Sequence, residues 1–79
     1  SPPLPAIWAM ADEIKVVIQD GKDFEEAEVY RQKVDPVCQL LLQPEWSRYR
    51  EMIEEITEYV KRNPAWRVSL QAHKFMHIP

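Results

Sequence analysis

The sequence predicts an α/β fold, a parallel sheet of three strands joined by two helices in the order β-α-β-α-β. Three observations predict it. Residues 13–18 (EIKVVI) are rich in β-branched side chains, the composition of a strand. Residues 37–42 (VCQLLL) are almost continuously apolar, which suits a strand buried on both faces inside a parallel sheet. Trp46, Tyr49, Met52, Ile53, Ile56, Tyr59 and Val60 recur at spacings of three and four, with Arg48, Arg50, Glu51, Glu54, Glu55, Glu58 and Lys61 filling the other side. That is the pattern of a helix covering a core.

The elements follow in order. Residues 1–5 are a proline-rich lead, extended because each proline fixes φ and biases its predecessor away from helix. Ile7 to Met10 reads as a short helical turn or a connection. Residues 1–12 are therefore a lead and connection, and residues 13–79 the folded segment. Asp20-Gly21 supplies the turn after the first strand. Asp23 is expected as the N-cap of the first helix, with Glu26 completing a capping box. Phe24, Ala27, Tyr30 and Val34 then follow at helical spacing until Asp35-Pro36 stops the helix. Gln43-Pro44 closes the second strand. The long helix ends at Asn63-Pro64, with Lys61 and Arg62 where the helix dipole favours cations. Residues 66–70 make the third strand. Right-handed crossovers place both helices on one side of the sheet. The bare face then lines the interior of a barrel or docks on another surface, as in a piece of a larger (β/α) fold.

Composition narrows the function classes. At 79 residues there is room for one small domain, which buries only roughly 60% of the surface of its unfolded chain. Hydrophobic residues make up 46% and charged residues 29%, a globular balance. A net charge of −3 with no basic stripe gives no footprint for nucleic acid. No apolar run approaches a membrane span, and no signal-peptide pattern is visible, so a cytoplasmic protein is expected. One cysteine, Cys38, excludes an internal disulfide framework and any metal site built from cysteine alone. One glycine, Gly21, stands against seven prolines, and no glycine-rich phosphate loop or nucleophile elbow can be written.

Ligands of parallel α/β folds bind at the carboxyl ends of the strands. Connectivity alone puts Gln19 and Asp20, then Gln43, Pro44 and Glu45, then residues 71–79 at that edge. Gln43 and Gln71 offer paired donor and acceptor groups, and His73 and His77 can donate, accept or ligate. The plain alternatives are a solvated glutamine and a structural histidine. A metal held by His73 and His77 lacks an evident third ligand. Lys15, between Glu13 and Val17 on one strand face, is functional in a barrel interior and unremarkable on a solvated face. Cys38 reads as a small core residue, and Trp8, Trp46 and Trp66 as packing anchors.

Three stretches then carry a family resemblance: ADEIKVV from Ala11, LLQPEWS from Leu41 and, above all, NPAWRVSLQAHK from Asn63. They resemble the C-terminal part of the 7-carboxy-7-deazaguanine synthases, radical S-adenosylmethionine lyases of queuosine and deazapurine biosynthesis, a tRNA-modification pathway. The resemblance implies a partial (β/α) barrel, a homodimer and three cofactors: S-adenosylmethionine, a 4Fe–4S cluster and Mg2+. It implies a reaction in which a 5′-deoxyadenosyl radical abstracts hydrogen from the pterin substrate, 6-carboxy-5,6,7,8-tetrahydropterin. Ring contraction with loss of ammonia then yields 7-carboxy-7-deazaguanine.

By the same resemblance, His73 matches the substrate-contacting histidine of a Q-T-H-K ending, with Ala72 where threonine is usual. Pro79 matches a terminal proline whose carboxylate helps bind substrate. Gln43 matches the strand-end glutamine of an L-Q-P segment, a cofactor or substrate contact, and Lys15 the lysine of a D-E-I-K segment; both are expected to bind cofactor. The family holds its cluster with three closely spaced cysteines, leaving one iron open. This sequence has only Cys38, so the chain by itself is expected to be inactive and to need the missing N-terminal part of the same enzyme. The rival reading is a stand-alone α/β interaction module derived from such an enzyme. An upstream C-x3-C-x2-C segment in frame would decide between them.

Overall fold

A computed structural model describes residues 6–9, as backbone, and residues 13–70. The elements are strand β1 (Ala6–Ala9), strand β2 (Glu13–Ile18), helix α1 (Lys22–Lys33), strand β3 (Gln39–Pro44), a 3-10 turn (Trp46–Arg48), helix α2 (Tyr49–Arg62) and strand β4 (Trp66–Val68). They form one sheet in the order β1-β2-β3-β4. β2, β3 and β4 run parallel, which is the expected βαβαβ unit. Both helices pack on one face of it.

Register explains that one-sidedness. Ile14, Leu40 and Trp66 lie side by side on the three parallel strands, as do Val16, Leu42 and Val68. In parallel strands such neighbours share a face. On this face Ile14, Val16, Ile18, Leu40, Leu42 and Trp66 are buried, and Ala27 of α1 with Met52 and Ile56 of α2 close the core over them. Each fully buried large side chain contributes about 1.5–3 kcal/mol relative to exposure.

A polar clamp ties the two helices to the last strand. Glu28 on α1 accepts hydrogen bonds from the Trp66 indole N–H at 3.0 Å, from the Tyr59 hydroxyl of α2, and from Arg31 at 3.1 Å. Phe24 stacks on Tyr59 with ring centroids 4.4 Å apart. Burial acts to raise the Glu28 pKa, but the bonds from Tyr59, Trp66 and Arg31 outweigh it and hold the carboxyl below its ordinary value. Tyr59 is pushed upward, first by burial and then by its bond to the Glu28 carboxylate.

Four expectations are corrected. Ala6–Ala9, expected as a helical turn or connection, is a strand paired antiparallel with β2 from Ala6↔Val16 to Ala9↔Glu13. Only three residues separate the two strands, the spacing of a hairpin, and a four-residue run is too short to show a period. Asp23 is not the N-cap of α1, which begins at Lys22 after Gly21. Asp20 Oδ1 instead accepts from the Lys22 N–H at 2.9 Å, and Asp23 Oδ2 reaches back to the N–H groups of Gln19 and Asp20 at 2.7 and 3.2 Å.

The second strand runs over residues 39–44, not 37–42, because Asp35 captures the preceding amides. The Val37 N–H donates to Asp35 Oδ1 at 3.0 Å and the Cys38 N–H to the Asp35 carbonyl at 2.8 Å, leaving Val37 82% exposed. Cys38 is accordingly half-buried, with its thiol 3.6 Å from the Gln39 carbonyl. Gln43 and Pro44 lie inside the strand, paired with Val17 and Ile18. Proline is tolerated there because the Glu45 N–H points to the Ile18 carbonyl at 2.9 Å. The neighbouring Pro44 nitrogen therefore faces the other side, where pairing with β4 has ended at Leu42↔Val68. Finally, β3 is not buried on both faces. Leu40, Leu42 and Pro44 are buried, while Leu41 and Gln43 are only half-buried.

Candidate functional site

The face away from the helices carries the chemistry. Its residues form three levels, about 6.6 Å apart along the strands. Glu13 and Gln39 make the lowest level, Lys15, Leu41 and Arg67 the middle, and Val17, Gln43 and Ser69 the one at the carboxyl edge. The Ser69 N–H donates to the Leu42 carbonyl at 2.8 Å, carrying the β4 ladder one residue further and setting Ser69 beside Gln43.

The structure brings Gln43 and Lys15 to one face, one level apart on neighbouring strands. Gln43 sits at the carboxyl edge, where Ser69 Oγ donates to its Oε1 at 3.2 Å. Among the described residues this bond leaves the Gln43 NH2 group as the outward donor. Lys15 lies one level lower with its side chain 22% exposed, and its ammonium is 4.0 Å from Glu13 Oε2. That is a loose ion pair, too long and too wet to anchor the lysine.

At the rim, the loop after β2 is fixed by structural bonds. Arg48 Nη1 donates to the Gln19 carbonyl at 3.1 Å while its Nε donates to Glu51 Oε1 at 3.0 Å. Glu45 accepts from the N–H of Ser47 at 2.9 Å and from its hydroxyl, so its carboxylate caps the 3-10 turn. Of the edge residues expected to meet ligand, Asp20 and Glu45 are thus committed to the backbone. His73 and Pro79 lie outside the described residues. No group of three or more His, Cys, Asp or Glu side chains that could hold a metal ion occurs among the described residues.

Two members of this face were missed from sequence. Ser69 is 7% exposed and touches Gln43, and Arg67 shares the middle level with Lys15. The signal was present in W-R-V-S. Period-2 alternation puts Arg67 and Ser69 opposite the buried Trp66.

The class these features define is an α/β unit with helices on one face, strands in sequential order, and an open polar face whose carboxyl edge presents hydrogen-bonding groups. Comparison with known proteins gives the family. Over 77 residues and 98% of its length the chain is 46% identical to 7-carboxy-7-deazaguanine synthase of Flavobacterium psychrophilum. It is 40% identical over 96% of its length to the protein of that name in Synechocystis sp., and 32% identical over 96% to that of Prochlorococcus marinus. The chain is therefore related to the 7-carboxy-7-deazaguanine synthases and matches their C-terminal segment. It spans 37% of the length of the Flavobacterium relative and 36% of the Synechocystis one. No protein-family model and no solved structure matches the chain.

Proposed function

We propose that this chain is the C-terminal part of a 7-carboxy-7-deazaguanine synthase, a radical S-adenosylmethionine enzyme converting 6-carboxy-5,6,7,8-tetrahydropterin to 7-carboxy-7-deazaguanine in the cytoplasm. The observation that carries this reading is 46% identity across almost the whole chain to a relative of that name. The fold supports it. Three sequential parallel strands, β2 to β4, with both helices on one face suit an arc of a (β/α) barrel whose interior side is the open face. The remainder of the enzyme, carrying its own strands, covers that face. A homodimer is part of the same proposal.

A 4Fe–4S cluster does not fit this chain. Three thiolates are needed, and the single cysteine, Cys38, is turned toward the Gln39 carbonyl at the far end of β3 from the ligand edge. The described residues bring no three His, Cys, Asp or Glu side chains together. What the chain's residues contribute is recognition. Gln43 donates its amide NH2 to an acceptor on the cofactor, S-adenosylmethionine. Lys15 balances negative charge on that ligand, and His73 with Pro79 holds the pterin.

A chimera tests the proposal. The matching segment of the Flavobacterium relative is replaced by this chain, and product is followed by mass spectrometry. Turnover of the carboxypterin is expected; a folded, cluster-loaded chimera that makes no product refutes the reading. The chain alone, given iron, sulfide and S-adenosylmethionine, should show neither cluster absorbance nor 5′-deoxyadenosine.

A further inference from the structure

We infer that Ser69 is a positioning residue that sets which end of the Gln43 amide faces the ligand, and so restricts the carboxyl edge to ligand groups that accept a hydrogen bond. This rests on the functional reading above for the identity of the ligands, but its geometry does not.

A glutamine side chain is ambivalent. Rotation about its last bond exchanges an acceptor for a donor at nearly the same point in space. A solvated glutamine samples both and selects nothing. At the edge of this sheet the ambiguity is removed. Ser69 is 7% exposed, which favours a protein acceptor for its hydroxyl proton over water. It finds Gln43 Oε1 at 3.2 Å, on the adjacent strand. The Ser69 N–H is itself held by the Leu42 carbonyl at 2.8 Å, so the hydroxyl is delivered from a fixed backbone. Gln43 is fixed likewise, within a strand bounded by β2 on one side, where it pairs with Val17.

The hydroxyl has one proton, and spending it on Oε1 turns the carbonyl inward. The two amide protons then face away from β4, over the open face at the strand ends. The site so built recognises a ring nitrogen, a carbonyl or a hydroxyl oxygen, and rejects an N–H at that point. A donor there would meet another donor, and turning the amide to relieve the clash would deprive the Ser69 hydroxyl proton of its acceptor.

Two measurements test the assignment. In the chain itself, the side-chain amide of Gln43 is read by nitrogen-15 NMR. It should be ordered in the wild type and in Ser69→Thr, which keeps the hydroxyl, and mobile in Ser69→Ala. A Gln43 amide equally mobile in the wild type overturns the inference. In the active chimera, Ser69→Ala should raise KM for the pterin or Kd for S-adenosylmethionine by about 5–10-fold, the loss of one neutral hydrogen bond's net worth. Ser69→Thr should restore the wild-type value. In a Gln43→Ala background, Ser69→Ala should have no further effect, because a positioning residue acts only through its target. An equal effect of Ser69→Ala with and without Gln43 marks a purely structural serine and refutes the proposal. An inactive wild-type chimera counts against the functional reading, and the NMR result then decides the positioning role by itself.

Discussion

Replacing Glu28 by alanine removes the acceptor shared by α1, α2 and β4, and the structure allows the cost to be worked out. Trp66 is 1% exposed, and its indole N–H donates to Glu28 at 3.0 Å. Without that carboxylate the donor has little access to water, which costs about 1–3 kcal/mol. Tyr59 is half-buried and can turn its hydroxyl partly to solvent, so its lost bond is worth about 1 kcal/mol. The Arg31 pair is exposed and spaced i, i+3, and adds less than about 0.5 kcal/mol. Alanine returns a few tenths through helix propensity.

The expected loss is thus about 3 kcal/mol, against a total stability of roughly 4–12 kcal/mol for a chain of this length. Urea unfolding followed by far-ultraviolet circular dichroism measures it, with Glu26→Ala, an exposed neighbour on the same helix, as the control expected within about 0.5 kcal/mol. Glu28→Gln keeps one acceptor oxygen and should lose about 1 kcal/mol. Trp66→Phe combined with Glu28→Ala should cost at least about 1 kcal/mol less than the two single losses together, since they share one bond. A Glu28→Ala protein as stable as the control would show that the clamp is a by-product of packing rather than a contributor to it.

Further outcomes follow from the same structure. The lowered Glu28 pKa means that its contribution is fully present above the ordinary carboxylate pKa of about 4.5 and is lost as pH falls through the folded value. The urea midpoint should therefore drop on acidification, and drop less in Glu28→Ala. The raised Tyr59 pKa has the opposite sign: its contribution is complete below about pH 10 and is lost as pH rises beyond it, an alkaline limb that Tyr59→Phe should remove. Ile56→Ala, at a fully buried position of α2, should destabilise by about 2–5 kcal/mol in the same unfolding assay, whereas Thr57→Ala, exposed on the next residue, should not. In the active chimera, His73→Ala should raise the KM for the pterin; an unchanged KM would remove His73 from the proposed site.

The helix-covered face was legible in the sequence because burial imposes a period. Ile14, Val16 and Ile18 alternate along β2, and Met52 and Ile56 repeat along α2 at helical spacing, so both could be assigned from pattern alone. Where local hydrogen bonds competed with pattern, pattern was misleading. Residues 37 and 38 are as apolar as a strand should be, but Asp35 takes their amides and delays β3 by two residues. Asp20 and Asp23 are both good capping residues only three positions apart, and only the path of the chain out of β2 decides that Asp20 holds Lys22 while Asp23 holds Gln19. The strand at residues 6–9 exists through its pairing with β2, a non-local fact that four residues cannot announce.

The open face obeys a different logic, which explains why its edge was found and its partnerships were not. Connectivity of a parallel sheet sends every strand end to one edge, so Gln43 could be placed there without knowing any distance. What Gln43 does at that edge depends on which residue of β4 stands beside it. A shift of one residue between β3 and β4 would turn Trp66 and Val68 away from the core and put Ser69 under the helices, so the apolar face enforces the register that the polar face uses. Trp66 is the strongest term in that enforcement: fully buried against Leu40 and tied through its indole N–H to Glu28, it pins β4 at its first residue. Ser69 reaches Gln43 as a consequence, three residues on and on the opposite face. The core cluster and the proposed recognition edge are therefore one structure seen from two sides. Loosening the Glu28–Trp66 clamp should disturb the Ser69–Gln43 bond as well as stability.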